Sequence, residues 1–140
     1  MRPTPPEQLR GIRQVLAEVV APQVTDAYPA DVLAGALAAL DLLADAWPEV
    51  PAFLRWDAEE TTRVLALAGI EAPGPPGDQL DLEALEGHTV AVRGLLEQHM
   101  AVVLDHPDAR AAAVAHIRAR SARYPLVARY PGAHGAHAAR

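Results

Sequence analysis

The chain has no cysteine in its 140 residues, which excludes disulfides and any thiolate chemistry. Lysine is missing too, so all twelve basic residues are arginine. With the high alanine content, this fits a GC-rich bacterial genome. Aromatic residues make up only 4% although 51% of the chain is hydrophobic. The core must therefore come from Leu, Val and Ala, a set that suits close-packed helices better than a sheet. No apolar run reaches about 18 uninterrupted residues, so no bilayer-spanning segment is expected. The opening Met1-Arg2-Pro3-Thr4 lacks the charged-then-apolar plan of a signal peptide, and a cytoplasmic location is the default expectation. Serine occurs once, as Ser121, with no Gly-x-Ser-x-Gly elbow. The Gly74-Pro75-Pro76-Gly77 stretch is rigid and poor in N–H donors, unlike a phosphate-binding loop.

What is present is a polarised charge distribution. Residues 1–108 hold all 18 acidic residues and six arginines, a net of −12. Residues 109–140 hold Arg110, Arg118, Arg120, Arg123, Arg129 and Arg140 and no acid, a net of +6. Arg118, Arg120, Arg123 and Arg129, with Tyr130, form the candidate contact site for a protein partner or a phosphate, because a guanidinium offers a planar fork of donors. Docking of this end on the chain's own acidic body satisfies the same electrostatics. A total charge of −6 argues against nucleic-acid binding.

The periodicity predicts an all-α fold, a four- or five-helix up-and-down bundle with a flexible C-terminal tail. Thr4-Pro5-Pro6-Glu7 is a capping box with prolines in the first turn. Leu9, Ile12, Leu16 and Val19 then form one apolar stripe that Pro22 ends or kinks. A second helix starts near Pro29, with Leu33, Leu37, Leu40, Leu43 and Trp47 on one side, and Pro48 and Pro51 interrupt it. Asp57-x-x-Glu60 is a further capping signal, expected to open a third helix whose buried face is Val64, Leu65 and Ala68. Gly69 is its natural stop. Residues 71–78 form the main loop. A fourth helix runs from about Leu82 through Leu85, Thr89, Val92, Leu96, His99 and Val103. Asp105 and Pro107 open an alanine-rich fifth. The expected organisation is one helical domain over residues 1–124 and a basic, partly disordered tail over 125–140.

Catalytic and metal chemistry find little support in the pattern. His88 and His99 share a helix face but lie about 16 Å apart along it, too far for one ion. Neither His-Glu-x-x-His nor the paired Glu-x-x-His of di-iron bundles occurs. Asp41 and Asp45, one turn apart, read more simply as a solvated acidic face than as paired catalytic carboxylates. No catalytic residue, metal or cofactor is expected.

Several short motifs resemble the DUF6285 family of small bacterial helical proteins. Arg2-Pro3-Thr4 and the amphipathic helix after it are similar to the family's opening. Leu82-Glu83-Ala84-Leu85, His116-Ile117-Arg118 and the closing Arg129-Tyr130-Pro131 are similar to its later motifs. Tyr28-Pro29-Ala30-Asp31 departs from the aromatic-His-Ala-Arg of members, and Val127-Ala128 stands in place of their Asn-Pro. Members are encoded beside kinases of the aminoglycoside-phosphotransferase fold and acyl-CoA dehydrogenases. The resemblance implies a non-catalytic accessory or regulatory subunit of such a kinase-like enzyme in hydroxyacyl-CoA metabolism, with the helix-one stripe and the Arg-rich end as contact surfaces. The alternative is a self-associating bundle, a homo-oligomer that binds a small apolar or acyl ligand between its helices.

Overall fold

The computed structural model describes residues 3–78 and 81–128. The fold is all-α, with no strand among the described residues. Among the described residues seven α-helices follow in order: α1 (Pro5–Val15), α2 (Ala27–Ala46), α3 (Val50–Leu67), α4 (Leu82–Gln98), α5 (Met100–Asp105), α6 (Pro107–Arg123) and the single turn α7 (Pro125–Ala128). They divide into two compact units at Glu49/Val50. The first holds α1 and α2, the second α3 to α7.

The capping box opens α1 as the sequence indicates. Glu7 Oε2 accepts hydrogen bonds from the Thr4 backbone N–H at 2.7 Å and from its hydroxyl at 2.9 Å. These bonds hold the Glu7 carboxyl below the usual carboxylate range, the backbone bond contributing most. At the other end Pro22 has no N–H to give, and the helix loosens into one π turn over Leu16–Val20 before a 3₁₀ turn over Ala21–Gln23. Helices α1 and α2 run antiparallel, fixed by two exposed ion pairs. Arg10 meets Asp45 at 3.2 Å and Arg13 meets Asp41 at 3.0 Å. The stripe on α1 is thereby split. Leu9 and Leu16 are half-buried, whereas Ile12 and Val19 are exposed.

In the second unit the start of α3 corrects the sequence reading. The helix begins at Val50, and Asp57 lies two turns inside it rather than at its cap. Pro51 is tolerated because a first-turn N–H has no helical partner in any case. The buried face of α3 includes Val64, Leu65 and Ala68 as expected. Its C-terminus is a Schellman motif: Gly69 N–H donates to the Ala66 carbonyl and Ile70 N–H to the Leu65 carbonyl, with Gly69 at φ 73°. Asp81 caps α4 by accepting from the N–H groups of Glu83 and Ala84.

The expected long fourth helix is broken at His99, whose φ of −107° and ψ of 18° leave the helical region. Its ring Nδ1 lies 3.0 Å from the Leu95 carbonyl, which the His99 backbone N–H also approaches. The side chain thus competes for an acceptor of the helix ladder at the break. Val64 and Leu65 of α3, and Ala68 just after it, pack with Leu96, Val103, Ala109 and Ala113 from α4, α5 and α6. The alanines on α6 are what let it lie close to α3. Pro125, placed at the head of the tail by the sequence reading, is fully buried within α7.

Candidate functional site

Helices α3 and α6 face each other with matched four-residue spacings. Phe53, Asp57 and Thr61 on α3 stand against Tyr124, Arg120 and His116 on α6, in antiparallel order. At the centre Asp57 is completely buried. Its Oδ2 accepts from Arg120 Nε at 3.0 Å, and its Oδ1 lies 3.0 Å from His116 Nε2. The second contact is close but poorly aligned as a hydrogen bond, since Oδ1 is otherwise without a partner. It offers charge attraction only when the ring is protonated, and not directional bonding.

The third member is Thr61. Its hydroxyl donates to the Asp57 backbone carbonyl at 2.7 Å, and its oxygen lies 3.2 Å from His116 Nε2. With the hydroxyl proton committed, that oxygen can only accept, so Nε2 carries a proton. Nδ1 of the same ring is buried and has no partner among the described residues. Aromatic groups wall the cluster. The Trp56 ring lies 5.2 Å from the His116 ring, and the Arg123 guanidinium stacks 4.6 Å over Trp56. Phe53 and Tyr124 meet edge to face at 5.4 Å.

A cleft of about 210 Å³ lies beside the cluster, lined by Thr61, Arg93, Leu96, Met100, His116 and Arg120 among others. A second cleft of about 270 Å³ lies under the Ala72–Pro76 loop, against Arg55, Glu59 and His88. On the exposed side of α3, Glu60 accepts from Arg63 at 2.7 Å. That bond keeps the Glu60 carboxyl below its ordinary range and raises Arg63.

The arginines singled out in the sequence are separated by their surroundings. Arg120 is spent on Asp57 and Arg123 on Trp56, so two of them dock on their own unit. Arg118 is exposed and makes no ion pair among the described residues. Arg129 and Tyr130, like His134 and His137, lie outside the described residues. Asp41 and Asp45 are the acidic ends of the two α1–α2 ion pairs. His106 Nδ1, like that of His99, lies against a carbonyl one turn back, at 2.9 Å from Val102. Among the described residues no three His, Asp or Glu side chains gather as metal ligands would.

Sequence reasoning missed Asp57 as a site residue because its spacing to Glu60 mimics a cap. A usable signal was there: His116, Arg120 and Tyr124 continue, at one-turn intervals, the buried Ala109–Ala113 stripe of α6. Polar residues on a buried stripe need a partner on the facing helix. Comparison with protein-family models, curated proteins and solved structures finds no match to this chain.

Proposed function

We propose that this protein is a non-catalytic accessory subunit that docks on a larger enzyme through its first unit. The observation that carries the reading is the surface of α2. Leu33, Leu37, Leu40 and Ala44 follow the face that is half-buried or buried. Tyr28, Val32, Gly35, Ala36, Ala39 and Leu43 make a second, uncharged stripe at helical spacing, and all six are exposed. Val32 is 56% exposed and Tyr28 79%. Ile12 and Val15 on α1 and Val19 in the π turn after it add exposed apolar surface. An exposed apolar stripe of this kind, beside a face that carries Asp31, Asp41 and Asp45, marks an interaction surface.

By length and composition alone, the helical stretch Ala27–Leu67 is apolar enough to cross a membrane. A protein partner fits better than lipid. Helix α1 is tied to α2 through Arg10 and Arg13 and carries Glu7, Gln8, Gln14 and Glu18 besides. Inserting α2 would drag those groups into hydrocarbon or break the pairs.

The DUF6285-like motifs point to the partner's class, a kinase-like enzyme of the aminoglycoside-phosphotransferase fold acting in hydroxyacyl-CoA metabolism. A supporting role is consistent with the cluster in the second unit. Asp57 is sealed from any substrate, and the Ser121 hydroxyl donates to the Ile117 carbonyl. The test is co-expression with the kinase-like enzyme encoded nearest to this gene. The pair is expected to co-purify and the enzyme's turnover to rise, and Val32→Asp is expected to abolish both effects. Absence of association together with unchanged turnover would refute the reading.

A further inference from the structure

The two ion pairs of the first unit fix how its apolar residues are arranged. Arg10 opposite Asp45 and Arg13 opposite Asp41 set an antiparallel register in which Ile12 stands level with Leu43 and Val15 with Ala39. They also fix the side. On α1, the half-buried Leu9, Arg13 and Leu16 turn toward α2. At about 100° per residue, Arg10 lies to one flank of them and Ile12 and Val15 to the other. On α2, Leu33, Leu37 and Leu40 turn toward α1, with Asp41 and Asp45 to one flank and Val32, Ala39 and Leu43 to the other. The ion pairs close across one side of the hairpin, so the two apolar flanks meet on the opposite side. They form an uncharged groove between the helices. Gly35 lies on the same flank of α2, and a β-carbon there would meet nothing within 4 Å. No contact inside the chain calls for glycine at that position, and its open space admits the backbone of another chain.

The charge around this groove has one sign. Residues 3–49 carry seven acids and two arginines, a net of −5. Both arginines are spent on Asp41 and Asp45 at the back of the hairpin. Glu18, Asp26 and Asp31 make no ion pair among the described residues. Tyr28 and Asp31 are neighbours at three-residue spacing, so an exposed ring and a carboxylate offer a seat for a cation beside the groove. We propose that the groove takes an amphipathic helix of the docking partner, with its apolar stripe laid between α1 and α2 and its flanks basic. The inference rests on the reading that the first unit docks on a larger enzyme, and it names the segment that is gripped. A furrow between two antiparallel helices is filled by the ridge of a third, and its apolar floor suits the stripe of an amphipathic helix. An acidic rim with its cations already paired selects basic flanks. It repels a second copy, which brings the same −5, and it repels an anionic lipid surface.

The test is a titration of the full-length protein with two synthetic peptides of about 18 residues, long enough to hold a helix. One carries leucine at helical spacing and lysine elsewhere, and the other has glutamate in place of lysine. NMR follows the methyls of Ile12, Val15 and Val32. The lysine peptide is expected to shift all three saturably and to bind at least about tenfold tighter than the glutamate peptide, while the Val64 and Val103 methyls of the other unit stay in place. Val32→Asp should weaken the lysine peptide at least about tenfold, because it sets a charge in the apolar groove. Mere attraction of opposite charges predicts the reverse, since that variant gains an acid. Glu18→Lys combined with Asp31→Lys should erase the preference for lysine. Equal binding of the two peptides, a Val32→Asp chain that binds as tightly as the original, or free-chain methyl shifts that follow protein concentration, the mark of a second copy in the groove, would each overturn the proposal. Co-purification with the kinase-like enzyme is a separate readout. An enzyme that associates while the peptides fail removes the helix and keeps the docking, and the opposite result removes that enzyme and keeps the groove.

Discussion

The two units of this chain are both helical and close their helices in opposite ways. In the α3–α7 unit, large side chains vanish from solvent: Val64, Leu65, Val92 and Val103 are essentially inaccessible, and even the polar Asp57 and Thr61 are fully buried. Among the described residues of the α1–α2 unit only Ala44 and Ala46 are buried, and α1 contributes none. The first is held by a core with a charged cluster set into it. The second is a helical hairpin pinned by two surface ion pairs, which are worth about 0.2–1 kcal/mol each. The apolar face left exposed on α2 is the surface on which the proposed docking rests.

The contrast yields ordered expectations. The largest effect should come from Arg120→Ala, which strands the Asp57 carboxylate in the interior with only a poorly aligned imidazole beside it. Breaking a buried pair in this way costs about 3–5 kcal/mol, and urea unfolding of the second unit reads it directly. A loss below about 1 kcal/mol would mean that water reaches Asp57. Next, Leu65→Ala should remove about 3 kcal/mol, whereas Leu40→Ala in the hairpin should remove about 1, since the cost of truncation scales with the packing lost. Equal losses would erase the difference between the units.

A smaller effect is expected at Gly69, where φ is 73° and the Schellman turn needs a left-handed residue. Gly69→Ala should cost about 1 kcal/mol by the same assay, from backbone strain alone, because nothing crowds a β-carbon there. The smallest effect is a pH dependence at the first turn of α1. Glu7 is depressed in the folded chain, so its contribution is complete above the ordinary carboxylate range and is lost as pH falls through the lowered value. Amide exchange of the first turn of α1 should therefore quicken in acid before that of the α3–α7 core. Simultaneous loss would show that Glu7 is not what holds that end.

How far the sequence foretold this architecture depends on the range of the interaction. Thr4 and Glu7, Gly69, and the Leu85–Thr89–Val92–Leu96 stripe all act locally, and all were legible. Asp57 was not. Its partners lie on α6, 59 and 63 residues further on, and nothing local distinguishes a carboxylate that caps a helix from one that pairs across two. The break at His99 escaped for a related reason: a histidine ring that takes a carbonyl from the ladder leaves the apolar period on both sides intact. The α1 stripe was visible as apolar, but which of its residues face α2 is set by Arg10 and Arg13 finding Asp45 and Asp41. The basic end was legible as charge, and only the fold shows Arg120 and Arg123 committed to α3 while Arg118 is left exposed.

The proposed docking through the hairpin is tested most directly by hydrogen exchange on the chain alone and in the presence of the kinase-like enzyme encoded nearest to it. The account predicts that the amides of α1 and α2 exchange faster than those of α3, α4 and α6 in the free chain. They should gain protection of at least about tenfold in the complex, with Val32→Asp abolishing the gain. A free chain whose α1–α2 amides are as protected as its core, or a complex that protects only the α3–α7 unit, would contradict it.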